Sequence, residues 1–252
     1  LDEFEQSTLW RISAFERLKN DPAHAQRTGD GPTLLPSTLL SDLARLDRND
    51  PSVGADVLDV MAACMRHRES ALIYLQRGEH VWPVTLFPRE LVYHCPFDLL
   101  GTCGADLSGF RILSVEPAGV RPPGHLVSDR VAAASRYRPL LPLLWQMALS
   151  GPRSELLPEI GGAAAYRLSP GFELFSLPLT GASRLAYDGL RTQTASLRAM
   201  SGWTGMDLPR ARRLLNALYL VSGLMVLRTH PAAREEPGTP SAFMGWLRGG
   251  RR

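Results

Sequence analysis

The chain has almost no lysine. Of its 28 Lys and Arg residues only Lys19 is a lysine, so an arginine at any one place can be the default cation and not a choice for bidentate recognition. The same scarcity excludes a phosphate loop of the GxxxxGK[ST] type, because Lys19 is followed by Asn20 and Asp21 and not by the hydroxyl residue that holds the magnesium ion. Cysteine is scarce too. An odd count of three, Cys64, Cys95 and Cys103, does not suit a secreted domain stapled by disulfides, and points to a reducing cytoplasm. No apolar run approaches the ~20 residues that cross a bilayer. Pro142 breaks the Leu140–Leu149 run, and Ser222 and Gly223 break the one from Leu214 to Leu227, so no membrane partner is expected. There is no repeat at solenoid spacing. The chain opens on Leu1 and not on Met, which reads as the interior of a longer product or a processed start. Its acidic, helically spaced DEFEQSTLWRISAFERL is unlike a signal peptide.

What is present is ordinary for a globular protein. Across 252 residues, 44% are hydrophobic and 21% charged, which argues against global disorder and leaves enough chain for a sizeable core. The formal charge of +3 is too small an excess to separate nucleic-acid binding from other roles. The pattern predicts α+β: a small, mostly antiparallel sheet with helices over 1–124, then a helical unit over 125–231, and a flexible tail over 232–252 that carries a short apolar and basic segment. Helices are expected at 3–19, from Ser37 to about Leu46, and from Asp50-Pro51 to about His67 with Val53, Val57, Val60, Met61 and Cys64 facing inward. Extended pieces follow at Ala71–Gln76, Val81–Phe87, Leu91–Tyr93 and Phe110–Val115, with a turn at Gly78-Glu79. Pro83 and Pro88 predict an edge or interrupted second strand. Beyond the Pro/Gly-rich EPAGVRPPG, a helix is expected from Asp129 to Leu149, with Pro139 or Pro142 the place for a break, then a short one over Ser154–Ile160, and a strand at Ala164–Leu168.

The most readable stretch runs from Thr194 to His230, TASLRAMSGWTGMDLPRARRLLNALYLVSGLMVLRTH. Thr194 can cap a short helix with Leu197 and Met200 inward, and Gly202 stops it. Asp207 can cap a longer helix, with Pro209 in its first turn, where no intrahelical donor is lost. Ala211, Leu214, Leu215, Leu218 and Val221 form its inward stripe. Arg210, Arg212, Arg213 and Asn216 fall outside that stripe. Gly223 ends the helix, and Leu224–Leu227 suits a strand. This order resembles the winged-helix modules of bacterial regulatory and adaptor proteins, including those of PATAN-type domains. The resemblance implies a module that docks proteins or reads nucleic acid. In the second case Arg210, Arg212, Arg213 and Asn216 would be the reading or phosphate-contacting residues.

No motif assigns catalysis, a cofactor or a metal to any residue. Cys64 with His67, and His94-Cys95 with Cys103, supply enough ligands for zinc, but the spacing matches no standard knuckle. His94 beside Cys95 does not make a nucleophile and base, since neighbours on a strand point to opposite faces. The tail segment SAFMGWLRGGRR sets Phe243 and Trp246 among arginines, the composition of a short docking anchor. The reading is therefore a non-enzymatic, cytoplasmic, bacterial regulatory or adaptor protein with a protein partner. A DNA-binding regulator using the same helix is the alternative, and an uncharacterised Cys/His-dependent enzyme or zinc protein comes behind it.

Overall fold

In a computed structural model, residues 10–19, 34–49, 56–127, 129–174 and 177–234 are described. The fold is α+β, built on two antiparallel sheets. The first sheet uses β1 (Trp10–Arg11), β2 (Ala71–Arg77), β3 (His80–Phe87), β4 (Val92–His94), β5 (Arg111–Pro117) and β6 (Tyr137–Pro139). Its order is β5-β2-β3-β4-β6, and β1 pairs with β3 on the same side as β4. The turn between β2 and β3 holds Gly78 at φ +57°, the left-handed region that glycine tolerates.

Alternation along these strands divides the side chains between two faces. Ile73, Leu75, Trp82, Val84 and Leu86 enter the main core. Leu72, Tyr74 and Val81 enter a smaller cluster on the other face, covered by Trp10, Ile12 and Phe15. Phe15 and Ile12 come from α1 (Ile12–Lys19). Strand β5 carries a bulge opposite Tyr74 and Leu75. The extra residue lets Ile112 and Val115, three apart, both join the main core while Leu113 packs on the other side.

The main core is closed by α2 (Ser37–Asn49), α3 (Val57–His67), α4 (Leu99–Cys103) and α5 (Leu140–Ser150). Helix α3 is capped by Asp56, whose Oδ1 accepts from the Leu58 N–H at 2.7 Å. A second sheet, β8-β7-β9, consists of β7 (Ala165–Leu168), β8 (Ala195–Ser196) and β9 (Leu224–Leu227). Around it lie α6 (Gly181–Thr192), α7 (Leu197–Ser201) and α8 (Leu208–Leu220). A single buried cluster runs from Leu35 to Val221 through both sheets.

Several expectations need correction. Residues 10–11 are a strand and not the middle of a helix. The helix that ends at His67 begins at Val57; Val53 lies outside the described residues. Strand β3 is central and not at an edge, and Pro83 falls between the stretches paired with β1 and with β4. The ladder on that side is interrupted there among the described residues, which accommodates a residue without an N–H. The helix predicted from Asp129 starts only at Leu140. Before it, Tyr137–Pro139 pairs with β4, because Pro139 disfavours helical backbone at Arg138. The segment 154–160 forms turns and no helix. The boundary expected at 124/125 does not separate the sheets, since β6 completes the first one. The tail expected from 232 starts with an ordered turn, Pro231–Arg234, that buries Ala233.

Candidate functional site

Helices α7 and α8 are built by local signals. The Ser196 hydroxyl, and not Thr194, caps α7 by accepting from the Ala199 N–H at 3.2 Å. Asp207 caps α8 by accepting from the Arg210 N–H at 2.8 Å, with Pro209 in the first turn. The stripe Ala211, Leu214, Leu215 and Leu218 is fully buried, and α8 packs along α5. This placement follows from the three-to-four spacing of the apolar residues.

The polar residues singled out on α8 have varied surroundings. Asn216 is a correction: it is 0% exposed. Its Oδ1 accepts from the Leu157 N–H at 2.9 Å and its Nδ2 donates to the Glu155 carbonyl at 2.8 Å. Arg213 donates to the carbonyls of Leu149 and Gly151, at 3.1 and 2.9 Å, at the C-terminal end of α5, where a cation also meets the negative end of the helix dipole. Arg212 pairs with Glu155 at 2.6 Å. Arg210 is exposed and donates to the Gly205 carbonyl at 2.5 Å. Arg212, Arg213 and Asn216 thus converge on one target, the 149–157 stretch that follows α5. Phe243 and Trp246 lie outside the described residues.

The same stretch and its continuation are held from other sides. Arg153 bonds Asp59 of α3 at 2.5 Å. Arg66 of α3 bridges Glu159 and Asp42, and His67 bonds the same Asp42 carboxylate at 3.0 Å. Arg228 donates to the Gly161 and Glu159 carbonyls, each at 2.9 Å, and the Tyr166 hydroxyl donates to the Ile160 carbonyl at 2.6 Å. Leu157 and Ile160 are fully buried beneath it. Burial alone would raise the Asp42 pKa, but hydrogen bonds from Arg66 and His67 and the Arg66 charge outweigh it and hold the carboxyl at about 2. Asp59 goes the other way. Its burial outweighs Arg153 and raises its pKa, and its Oδ1 has no hydrogen-bond partner among the described residues.

Between α5, α6 and α8 lies a cleft of about 450 Å³. Leu149, Pro178, Leu179 and Pro209 give it apolar walls, and Arg210 and Arg213 reach it from α8. Trp145 fixes one wall by donating from Nε1 to the Pro178 carbonyl at 2.9 Å.

The cysteine candidates and His94 lie outside this cleft. Burial pushes the Cys64 thiol up to about 12 and the Cys95 thiol up to about 11, so neither is a thiolate at neutral pH. Burial, with Arg136 and Arg138 nearby, lowers His94 to about 4. Among the described residues, no three His, Cys, Asp or Glu side chains are placed to hold a metal ion. No described helix is long and apolar enough to cross a membrane. Comparison of the chain with protein-family models, curated proteins and solved structures found no significant match.

Proposed function

We propose that this chain is a non-enzymatic bacterial regulatory or adaptor protein of the cytoplasm that works by docking a protein partner. One observation carries the reading: the polar face of α8 is engaged from within. Asn216 is buried, and Arg212 and Arg213 are bonded to the 149–157 stretch. A helix that reads a major groove must present that face to base edges, and Leu157 and Ile160 anchor the covering stretch in the core.

The likeness to winged-helix modules belongs to the same proposal. It rests on the order α6, β8, α7, α8, β9 and on the antiparallel sheet. The middle strand of that sheet, β7, precedes α6 in sequence and pairs with β9 over Ala165–Leu168. Among the described residues no hairpin therefore links β9 to its neighbour, and the projecting wing that some such modules lay against DNA has no counterpart there. Phe243 and Trp246 enter the proposal on sequence composition, as apolar anchors beside arginines.

The test is recovery of partners from the native host with and without nuclease. A protein partner that persists after nuclease treatment, and weakens when residues 241–252 are deleted, is the expected result. Recovery of nucleic acid with nuclease-sensitive partners would replace the docking reading with the DNA-binding one.

A further inference from the structure

We infer that the cleft between α5, α6 and α8 receives an acidic peptide segment of a partner protein, one that sets carboxylates beside aliphatic side chains. The inference deepens the docking reading and rests on it. The lining carries two arginines against one carboxylate. Arg210 is exposed on one wall, with a single guanidinium N–H directed to the Gly205 carbonyl, which leaves its fork open to a carboxylate. Arg213 adds a second positive charge deeper in the same wall.

The facing wall is the start of α6. Thr180 sits at the cap position in extended backbone (φ −134°, ψ 166°), and its side chain makes no capping bond. Thr180 and Ser183 both line the cleft. The one carboxylate in the lining, Asp207, is turned to its own helix, where it caps the Arg210 N–H. A negatively charged occupant thus meets two arginines and the positive end of α6, against a single carboxylate in the lining, Asp207, one oxygen of which is engaged in its helix cap.

Apart from Gln146, whose amide donates to the Ala105 carbonyl and the Ser150 hydroxyl, the rest of the lining is apolar and rigid. Leu149, Pro178, Leu179 and Pro209 form it. The Pro178 carbonyl is fixed by Trp145, and Leu149 is fixed by Arg213. Two prolines and two tethered backbones mean that little ordering is needed when an aliphatic side chain enters. A free inorganic anion would use the donors and leave these walls uncovered. A peptide with alternating aliphatic and acidic side chains uses both.

The experiment is an amide chemical-shift titration of the full isotopically labelled chain. The probe is the blocked peptide acetyl-Leu-Glu-Glu-Leu-amide, with acetyl-Leu-Gln-Gln-Leu-amide as the neutral control and sodium phosphate and a mixed-sequence DNA duplex as further arms. The acidic peptide should shift the amides of 180–183 and 207–210, and the neutral one should not. Arg210→Gln, at an exposed side chain, should weaken the acidic peptide about three- to tenfold with an unchanged circular-dichroism melt. Ser183→Glu, which places a carboxylate in the cleft, should abolish the shifts. Equal binding of the two peptides, shifts confined to other regions, no shift at all, or phosphate alone saturating the same amides would each overturn the assignment. If the duplex shifts α8 the docking reading falls as well; if nothing binds, only the cleft assignment falls.

Discussion

Replacing Asn216 by alanine removes both of its side-chain bonds to the 149–157 stretch. The Leu157 N–H then loses its acceptor in a fully buried setting. Leaving a buried donor unpaired costs roughly 1–3 kcal/mol. The Glu155 carbonyl is hurt less, because Arg153 Nε still donates to it at 2.9 Å. Adding the small void left by the amide group, the expected loss is about 2–4 kcal/mol. In a chain of this size that lowers the melting temperature by roughly 4–16 °C. The neighbouring substitution Arg212→Ala is the internal control. It breaks an ion pair whose Glu155 side chain is 65% exposed, so the loss should stay within about 1 kcal/mol. Urea denaturation of the two variants and the parent gives both numbers. An Asn216→Ala variant within about 0.5 kcal/mol of the parent, an ordinary change for a surface site, would refute the view that this residue is a structural tie. So would an Arg212→Ala variant that loses more than Asn216→Ala.

Three further outcomes are expected. Leu215→Ala, at a fully buried position on the α8 stripe, should lose about 2–5 kcal/mol in the same denaturant assay; an unchanged midpoint would remove the packing assignment. Asp42 has its carboxyl held at about 2, below its ordinary value of 3.8. Its contribution is therefore present above pH 3.8 and lost as the pH falls toward 2, so the melting-temperature gap between the parent and Asp42→Asn should be flat from pH 5 to 7 and close between about pH 4 and 2; a gap that widens on acidification would contradict the assignment. The buried thiols of Cys64 and Cys95, with pKa values of about 12 and 11, should react with a disulfide reagent at pH 8 only after denaturation; rapid labelling of either in the native protein would contradict their burial.

Local signals made much of the fold legible in the sequence. Asp207 with Pro209, the spacing of Leu214, Leu215 and Leu218, and the Gly78 turn are each settled within a few residues, and α8, β9 and the β2–β3 hairpin follow from them. What was missed depends on distant partners. Tyr137–Pro139 is a strand because β4 lies beside it. Asn216 reads as a polar outer residue until the backbone of Glu155 and Leu157, 61 and 59 residues upstream, closes over it. Helix α6 had a readable signal in Ala186, Tyr187 and Leu190, buried at helical spacing, but glycines at both Gly181 and Gly189 dilute its propensity. The cleft joins residues of α5, α6 and α8 that no local pattern connects.

The central claim is that the arginine-bearing face of α8 serves the fold and a protein partner and does not read nucleic acid. Fluorescence anisotropy of a labelled mixed-sequence duplex, titrated with the full chain at low salt, tests it most directly. The account predicts no saturable binding. Saturable binding that weakens steeply with salt, with the slope reduced by about one unit in Arg212→Gln, would contradict it.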